Sequence, residues 1–134
     1  MREQTRVLIV DDDAVTLMLV ANAMSDAGHE ALEADSGEAA IALLKECLPD
    51  IILLDLQMPG MGGLAFCRWL RAQALLSTLP ALLMTGLDNS ATIESAFDAG
   101  ASDFIAKPFT ADLLFTTLLR WLSRRDKAGD TTTA

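Results

Sequence analysis

The chain has 134 residues, a mass of 14.4 kDa and 51% hydrophobic residues, which matches the size and composition of one compact domain. Nineteen acidic residues against ten basic ones give a formal net charge of −9, the wrong sign for tracking a phosphate backbone. Direct nucleic-acid binding is therefore not expected. No apolar stretch has the length of a transmembrane span or the form of a signal peptide, so we expect a cytoplasmic protein with no membrane partner.

Strand and helix patterns alternate along the whole chain. Strands are predicted at residues 7–10, 31–34, 51–54, 79–84 and 104–106. Helices are predicted at about residues 14–27, 36–48 with an Asp35 cap, 64–74, 89–99, and 111–124 with a Thr110 cap. The unbroken apolar run at residues 51–54 indicates a central strand covered on both faces. Five successive β-then-α units predict a doubly wound α/β domain with one parallel sheet.

The domain is expected to cover residues 1–125, and the polar residues 126–134 are interpreted as a tail or the start of a linker. Cys47 and Cys67 lack metal-type spacing, so we interpret them as free thiols of a reducing compartment. His29 is the only histidine, which leaves too few residues for a histidine metal cage or a Ser-His-Asp triad.

Polar residues follow four of the five predicted strands at their carboxyl ends, where open α/β sheets bind ligands. They are Asp11, Asp12 and Asp13, then Asp55, Thr85 and Lys107. Each residue alone is explained as a helix cap, a turn former or a solvated charge. Together, several carboxylates at one edge repel one another and require a cation.

Magnesium suits such a site because it takes carboxylate and carbonyl oxygens and keeps waters that phosphate oxygens can replace. Lys107 adds a fixed positive charge and Thr85 a hydroxyl, both suited to holding a phosphoryl group. Asp55 follows the most buried predicted strand and is the candidate nucleophile.

Four segments resemble the receiver domain of bacterial two-component response regulators, in the right order and spacing over residues 6–124. They are Leu8–Asp12, Leu53–Gly63, Met84–Gly86 and Lys107–Phe109. The resemblance implies a flavodoxin-like sandwich whose central five-stranded sheet has the order 2-1-3-4-5. It also implies that Asp55 accepts a phosphoryl group from a phosphohistidine on a sensor histidine kinase or a histidine phosphotransfer protein. Such a domain is a signalling phosphoacceptor, which catalyses only its own phosphorylation and dephosphorylation.

The resemblance also implies the ligands of a bound Mg²⁺ ion. Asp12 and Asp55 would bind the ion directly, and Asp11 would do so through water. The main-chain carbonyl of Gln57 would complete the protein ligands. In this family, Gln57 and Leu87 occupy positions that modulate the lifetime of the phosphoryl group.

By the same resemblance, Thr85 and Lys107 contact the phosphoryl oxygens, and a cis peptide between Lys107 and Pro108 aims the lysine inward. The family's conformational switch pairs Thr85 with an aromatic residue on the last strand, here Phe104. Phenylalanine lacks the hydroxyl that a tyrosine would offer a partner. The alternative interpretation of Phe104 is an ordinary core aromatic.

Output is expected on the face built from the fourth helix, the fifth strand and the fifth helix, which could form a homodimer or dock a partner. On the last helix, a core stripe is predicted at Leu114, Leu118, Trp121 and Leu122. This leaves Leu113, Phe115 and Leu119 either for that face or for partial burial against the neighbouring helix.

Two other functions fit parts of the pattern. Asp11–Val15 matches the D-x-D-x-[T/V] pattern of haloacid dehalogenase-type phosphatases, with Asp11 as nucleophile and Asp13 as acid/base. That interpretation leaves the segment Asp55–Gly63 unexplained and offers no room for a substrate cap. A flavin carrier would need a Ser/Thr/Gly-rich phosphate loop after the first strand, where this chain has three carboxylates.

Overall fold

The structure, a computed structural model, describes residues 4–86 and 90–133. Five parallel strands form one sheet in the order β2-β1-β3-β4-β5. They are β1 (Arg6–Val10), β2 (Glu30–Ala34), β3 (Ile51–Asp55), β4 (Ala81–Thr85) and β5 (Asp103–Ala106). The predicted doubly wound sheet and its strand order are therefore confirmed.

A helix follows each strand, as the alternating pattern predicts. The helices are α1 (Ala14–Asp26), α2 (Gly37–Leu44), α3 (Gly63–Ala72), α4 (Ser90–Asp98) and α5 (Ala111–Thr133), with a short 3₁₀ turn at Ala74–Leu76. Across residues 4–86 and 90–133, no helix combines the length and apolarity needed to cross a bilayer.

Several predicted element ends are wrong by a few residues. The cap of α2 is Ser36 rather than Asp35, because the Ser36 hydroxyl accepts a hydrogen bond from the Ala39 amide at 3.0 Å. That helix ends at Leu44, four residues early. Strand β4 begins at Ala81 rather than residue 79, since Pro80 has no amide to donate to a neighbouring strand.

The last helix differs most from its prediction, because α5 continues to Thr133 instead of ending near Arg124. Residues 126–133, predicted as a tail or linker, are therefore helical. Leu114 and Leu118 are buried, Trp121 and Leu122 pack beside them, and Phe115 is half-buried.

The sheet separates two apolar layers because neighbouring strand residues point to opposite faces. Leu8, Val10, Ile52 and Leu54 pack with residues of α2, α3 and α4. Val7, Ile9, Ile51 and Leu53 pack with residues of α1 and α5. Every one of these strand residues is fully buried, which confirms that the continuous apolar runs mark strands covered on both faces.

Candidate functional site

Asp55 is the last residue of β3 and lies at the carboxyl edge of the sheet with 7% of its surface exposed. It pairs with Met84 of β4, and the residue before it pairs with Val10 of β1. Asp11 and Thr85 follow these two partners in the chain. The register therefore brings Asp11 to one side of Asp55 and Thr85 to the other.

Lys107 follows β5 and reaches back across this edge. Its ammonium nitrogen lies 3.0 Å from Asp11 Oδ2 and 3.3 Å from Asp55 Oδ1. Its backbone amide donates to the Thr85 carbonyl oxygen at 2.7 Å, which ties the lysine to the end of β4. The peptide bond between Lys107 and Pro108 is cis.

Three carboxylates lie close together at this edge of the sheet, and two of them, Asp11 and Asp55, contact the Lys107 ammonium. One oxygen from each of Asp11, Asp12 and Asp55 lies within 4.8 Å of the other two. Asp11 is fully buried, whereas Asp12 is exposed, so the cluster opens to solvent on one side. Three negative groups and one ammonium leave an excess of negative charge, and hard oxygen ligands are those that Mg²⁺ prefers. These side chains therefore fit a magnesium ion.

The electrostatics of the pocket reflect this crowding. Burial raises the pKa of Asp55, and the charge of Asp11 raises it further, while Lys107 opposes both effects only in part. Burial by itself lowers the pKa of Lys107. Its hydrogen bond to Asp11 and the charges of Asp55 and Asp11 outweigh burial, so the net pKa of Lys107 is raised.

Asp13 belongs to the start of α1 rather than to the pocket. Its carboxylate accepts hydrogen bonds from the Val15 and Thr16 amides, both at 3.4 Å, and from the Thr16 hydroxyl at 2.6 Å. The Thr16 hydroxyl lowers the pKa of Asp13. Because Asp13 serves as a helix cap and Asp11 is paired with Lys107, the phosphatase interpretation is not favoured.

The remaining predicted site residues take distinct positions. Thr85 ends β4 and is buried, and Gln57 lies two residues after Asp55 with an exposed side chain. Leu87 lies outside the described residues. Phe104 is 37% exposed, so its interpretation as an ordinary core aromatic is wrong.

The partner of Phe104 was not found from the sequence. Phe97 of α4 meets it edge to face, with ring centroids 6.3 Å apart and planes at 80°. Both rings cover a small cavity of about 10 Å³ that Thr85 also lines. A single phenylalanine on a helix carries no local signal for this contact, because the contact depends on how α4 lies against β5.

An open apolar groove of about 500 Å³ lies beside the pocket, between α1 and the segment after β5. Leu19 and Val20 line one side of this groove, and Lys107, Pro108 and Phe109 line the other. Val15, Met18 and Leu19 extend the apolar surface of α1, each more than half exposed. The sequence predicts a helix over residues 14–27 but does not show that its apolar side chains line a groove with the residues that follow β5.

Comparison with known proteins identifies the family. Residues 7–119 match the model of the response regulator receiver domain, so the chain belongs to this family of two-component signalling domains. Over 110 residues it is 37% identical to response regulator PleD of Caulobacter vibrioides, covering 82% of this chain and 24% of PleD. Over 121 residues it is 33% identical to DNA-binding response regulator MtrA of Mycobacterium tuberculosis, covering 90% of this chain and 52% of MtrA.

The fold comparison agrees with the family assignment. Chemotaxis protein CheY4 of Vibrio cholerae superposes with a TM-score of 0.84 at 31% identity, covering 87% of this chain and 98% of CheY4. By contrast, the chain spans between about a quarter and about half the length of PleD and MtrA. The chain is thus similar to a small chemotaxis regulator over nearly its full length and to one part of larger regulators.

Proposed function

We propose that Asp55 accepts a phosphoryl group from a phosphohistidine on a sensor histidine kinase or a histidine phosphotransfer protein. A carboxylate oxygen of Asp55 forms a bond to phosphorus while the bond from phosphorus to the histidine nitrogen breaks. The electron pair of the broken bond stays on the imidazole, and the product on Asp55 is an acyl phosphate. The observation that carries the proposal is the buried Asp55 carboxylate with the Lys107 ammonium at 3.3 Å.

In this proposal, Asp11, Asp12, Asp55 and the main-chain carbonyl of Gln57 hold Mg²⁺. When bound, the ion supplies positive charge that offsets the carboxylates and the phosphoryl oxygens. Lys107 swings from its two carboxylates toward the incoming oxygens, for which its flexible stem is suited. The Thr85 hydroxyl donates to another phosphoryl oxygen from the neighbouring strand end.

The donor protein docks on the apolar groove between α1 and the segment after β5. Lys107, whose ammonium contacts Asp55, lines this groove, so a protein seated there brings its histidine close to the acceptor. Exposed Met18 and Leu19 give the donor apolar surface to bury.

Phosphorylation then switches the face formed by α4, β5 and α5. Thr85 follows the phosphoryl group, and Phe104 moves into the space that this displacement opens beside it. The cavity of about 10 Å³ holds no more than one water, so Phe104 enters only when α4 shifts. Leu113 and Leu119 of α5 are about half exposed on this helix and offer a homodimer or partner surface.

The domain acts as a cytoplasmic signalling phosphoacceptor and catalyses only its own phosphorylation and dephosphorylation. It does not itself contact nucleic acid, because its formal charge of −9 opposes binding to a phosphate backbone. MtrA is named a DNA-binding regulator, and this chain spans 52% of it. An output such as DNA binding would therefore come from residues outside the receiver fold.

Phosphorylation of the intact chain by acetyl phosphate, followed by intact-mass measurement, tests the proposal. The wild-type chain is expected to gain one phosphoryl group in Mg²⁺ and none in excess chelator. Asp55→Asn should gain none in either buffer, whereas Asp50→Asn, at the opposite end of β3, should behave as the wild type. Equal phosphorylation of Asp55→Asn and the wild type would refute the assignment.

A further inference from the structure

Gly63 is the first residue of α3 and is buried against the backbone that leaves β3. A Cβ atom at this position would lie 2.7 Å from the Asp55 carbonyl oxygen, 2.8 Å from Leu56 Cα and 3.0 Å from the Leu56 carbonyl oxygen. All three are main-chain atoms, so no flexible side chain can move aside. The absent side chain of Gly63 therefore sets how closely α3 approaches the peptide that joins Asp55 to Leu56.

Neither β3 nor α3, the two elements that meet at this contact, can easily move. Strand β3 lies between β1 and β4, and its residues Ile51–Leu54 are fully buried. Helix α3 is anchored by Phe66 and Leu70, which are also fully buried. Interiors packed this closely transmit a displacement rather than absorb it. A side chain at position 63 would therefore displace the short segment between the two elements, beginning at the Asp55 peptide.

We propose that Gly63 is a positioning residue for the phosphoacceptor, an inference that rests on the proposed function of Asp55. The Gly63 amide donates to the Leu56 carbonyl oxygen at 3.0 Å and holds the segment against α3. This contact keeps the Asp55 carboxylate within reach of Lys107 and of the other two carboxylates. Magnesium demands near-ideal octahedral geometry, so a small displacement of the Asp55 carboxylate strongly weakens the binding of Mg²⁺.

The neighbouring glycine provides a matched control. Gly62 caps α3 with a φ of −75°, which any residue adopts. A Cβ atom there would lie no closer than 3.9 Å to the Leu56 and Met58 carbonyl oxygens, an ordinary contact. Gly62→Ala and Gly63→Ala thus make the same chemical change one residue apart, and only Gly63→Ala meets the Asp55 backbone.

The test measures Mg²⁺ affinity by calorimetry and unfolding by urea for the full chain and for both variants. Gly63→Ala should weaken Mg²⁺ binding by about 10–100-fold in the folded chain, the usual effect of disturbing the support of a metal ligand. It should slow phosphorylation by acetyl phosphate in parallel. Gly62→Ala should stay within about twofold of the wild type on both measures.

If Gly63 had a purely structural role, Gly63→Ala would lower the urea midpoint and leave the Mg²⁺ affinity of the folded chain unchanged. That result overturns the inference. If Gly63→Ala is unfolded in buffer, the comparison is repeated in trimethylamine N-oxide, which favours the folded state. A variant still unfolded there also overturns it. A wild-type chain that neither binds Mg²⁺ nor accepts a phosphoryl group refutes the proposed function, and this inference with it.

Discussion

The Lys107 ammonium lies 3.0 Å from a carboxylate oxygen of Asp11, a fully buried side chain 96 residues away in the sequence. The second Asp11 oxygen accepts from the Asp13 amide at 2.9 Å. Lys107 is therefore the counter-charge for an acidic residue that has no access to water. This ion pair connects the residue after β1 to the residue after β5 at the carboxyl edge of the sheet.

Lys107→Met should destabilise the chain, because it leaves Asp11 buried and without its counter-charge. We expect a loss of about 2 kcal/mol in Mg²⁺-free buffer. A fully buried pair would lose more, but the Lys107 side chain is 26% exposed. Urea unfolding measures the change, with exposed Lys45→Met as control. Equal stability of the two variants would show that the pair does not offset the buried charge.

Asp55→Asn should stabilise the chain when Mg²⁺ is absent. Burial and Asp11 raise the pKa of Asp55, so ionising this carboxyl costs more free energy in the folded chain than in the unfolded one, and the stability lost in this way rises with pH. Removing that charge should raise the unfolding free energy by roughly 1–2 kcal/mol. Chemical denaturation at pH 7 in chelator measures this gain.

Added Mg²⁺ should reverse the order of stability. A ligand that binds only the folded state stabilises it in proportion to the logarithm of its concentration above the dissociation constant. The wild type should gain stability with each increment of Mg²⁺, and Asp55→Asn should gain less because it has lost a ligand. Parallel Mg²⁺ responses in the two chains would argue against a site built on Asp55.

Phe97→Ala should favour the switched state. Phe97 contacts Phe104 edge to face while the Phe104 ring is partly exposed, as it is in this structure. Such contacts stabilise a fold by about 0.5–1.5 kcal/mol. Losing the Phe97–Phe104 contact destabilises only the unphosphorylated conformation and so shifts the population toward the switched one. Beryllofluoride with Mg²⁺, which favours the switched conformation, should therefore bind about two- to tenfold more tightly. Leu75→Ala, at a residue 89% exposed, is the control. Unchanged or weaker beryllofluoride binding would contradict the proposed role of Phe104.

The two free cysteines should differ in reactivity. Burial raises the pKa of Cys67 to about 11 and keeps it a thiol, whereas Cys47 is half-buried. A thiol reagent at pH 8 should modify Cys47 first.

The raised pKa of Cys67 also predicts how stability depends on pH. Below the ordinary thiol pKa of 9.0, Cys67 contributes to the free energy of unfolding, and this contribution is lost as pH rises toward 11. Relative to Cys67→Ala, the wild type should lose about 2 kcal/mol over that interval. A constant difference would contradict the raised pKa.

The fold followed from the sequence because its strongest signals are local. Continuous apolar runs such as Ile51–Leu54 identify strands covered on both faces, and parallel strands require helical crossovers. Element ends were less predictable because they depend on competing hydrogen bonds. Ser36 caps α2 in place of Asp35, although both residues have side chains suited to a cap.

The candidate site was predictable where topology alone decides it. Asp55 and Thr85 end their strands, and Asp11 and Lys107 directly follow theirs, so all four share the carboxyl edge of one parallel sheet. Contacts between separate elements were not predictable. Nothing local to Gly63 in a glycine-rich turn reveals its approach to the Asp55 backbone.

The exposure of the Phe104 side chain could not be predicted from the sequence either. It lies on the edge strand β5, where the pattern does not show whether α4 covers the ring or leaves it open. The same holds for Phe97, since its contact with Phe104 depends on how the helix is placed against the strand.

Chemical trapping locates the phosphoryl group and tests most directly whether Asp55 accepts it. The chain is phosphorylated with acetyl phosphate in Mg²⁺ and treated with borohydride, which reduces an acyl phosphate and converts the phosphorylated aspartate to homoserine. Peptide mass spectrometry then identifies the converted residue. Conversion at Asp55 alone is expected, and conversion at Asp11 instead would contradict the assignment of Asp55 as the phosphoacceptor.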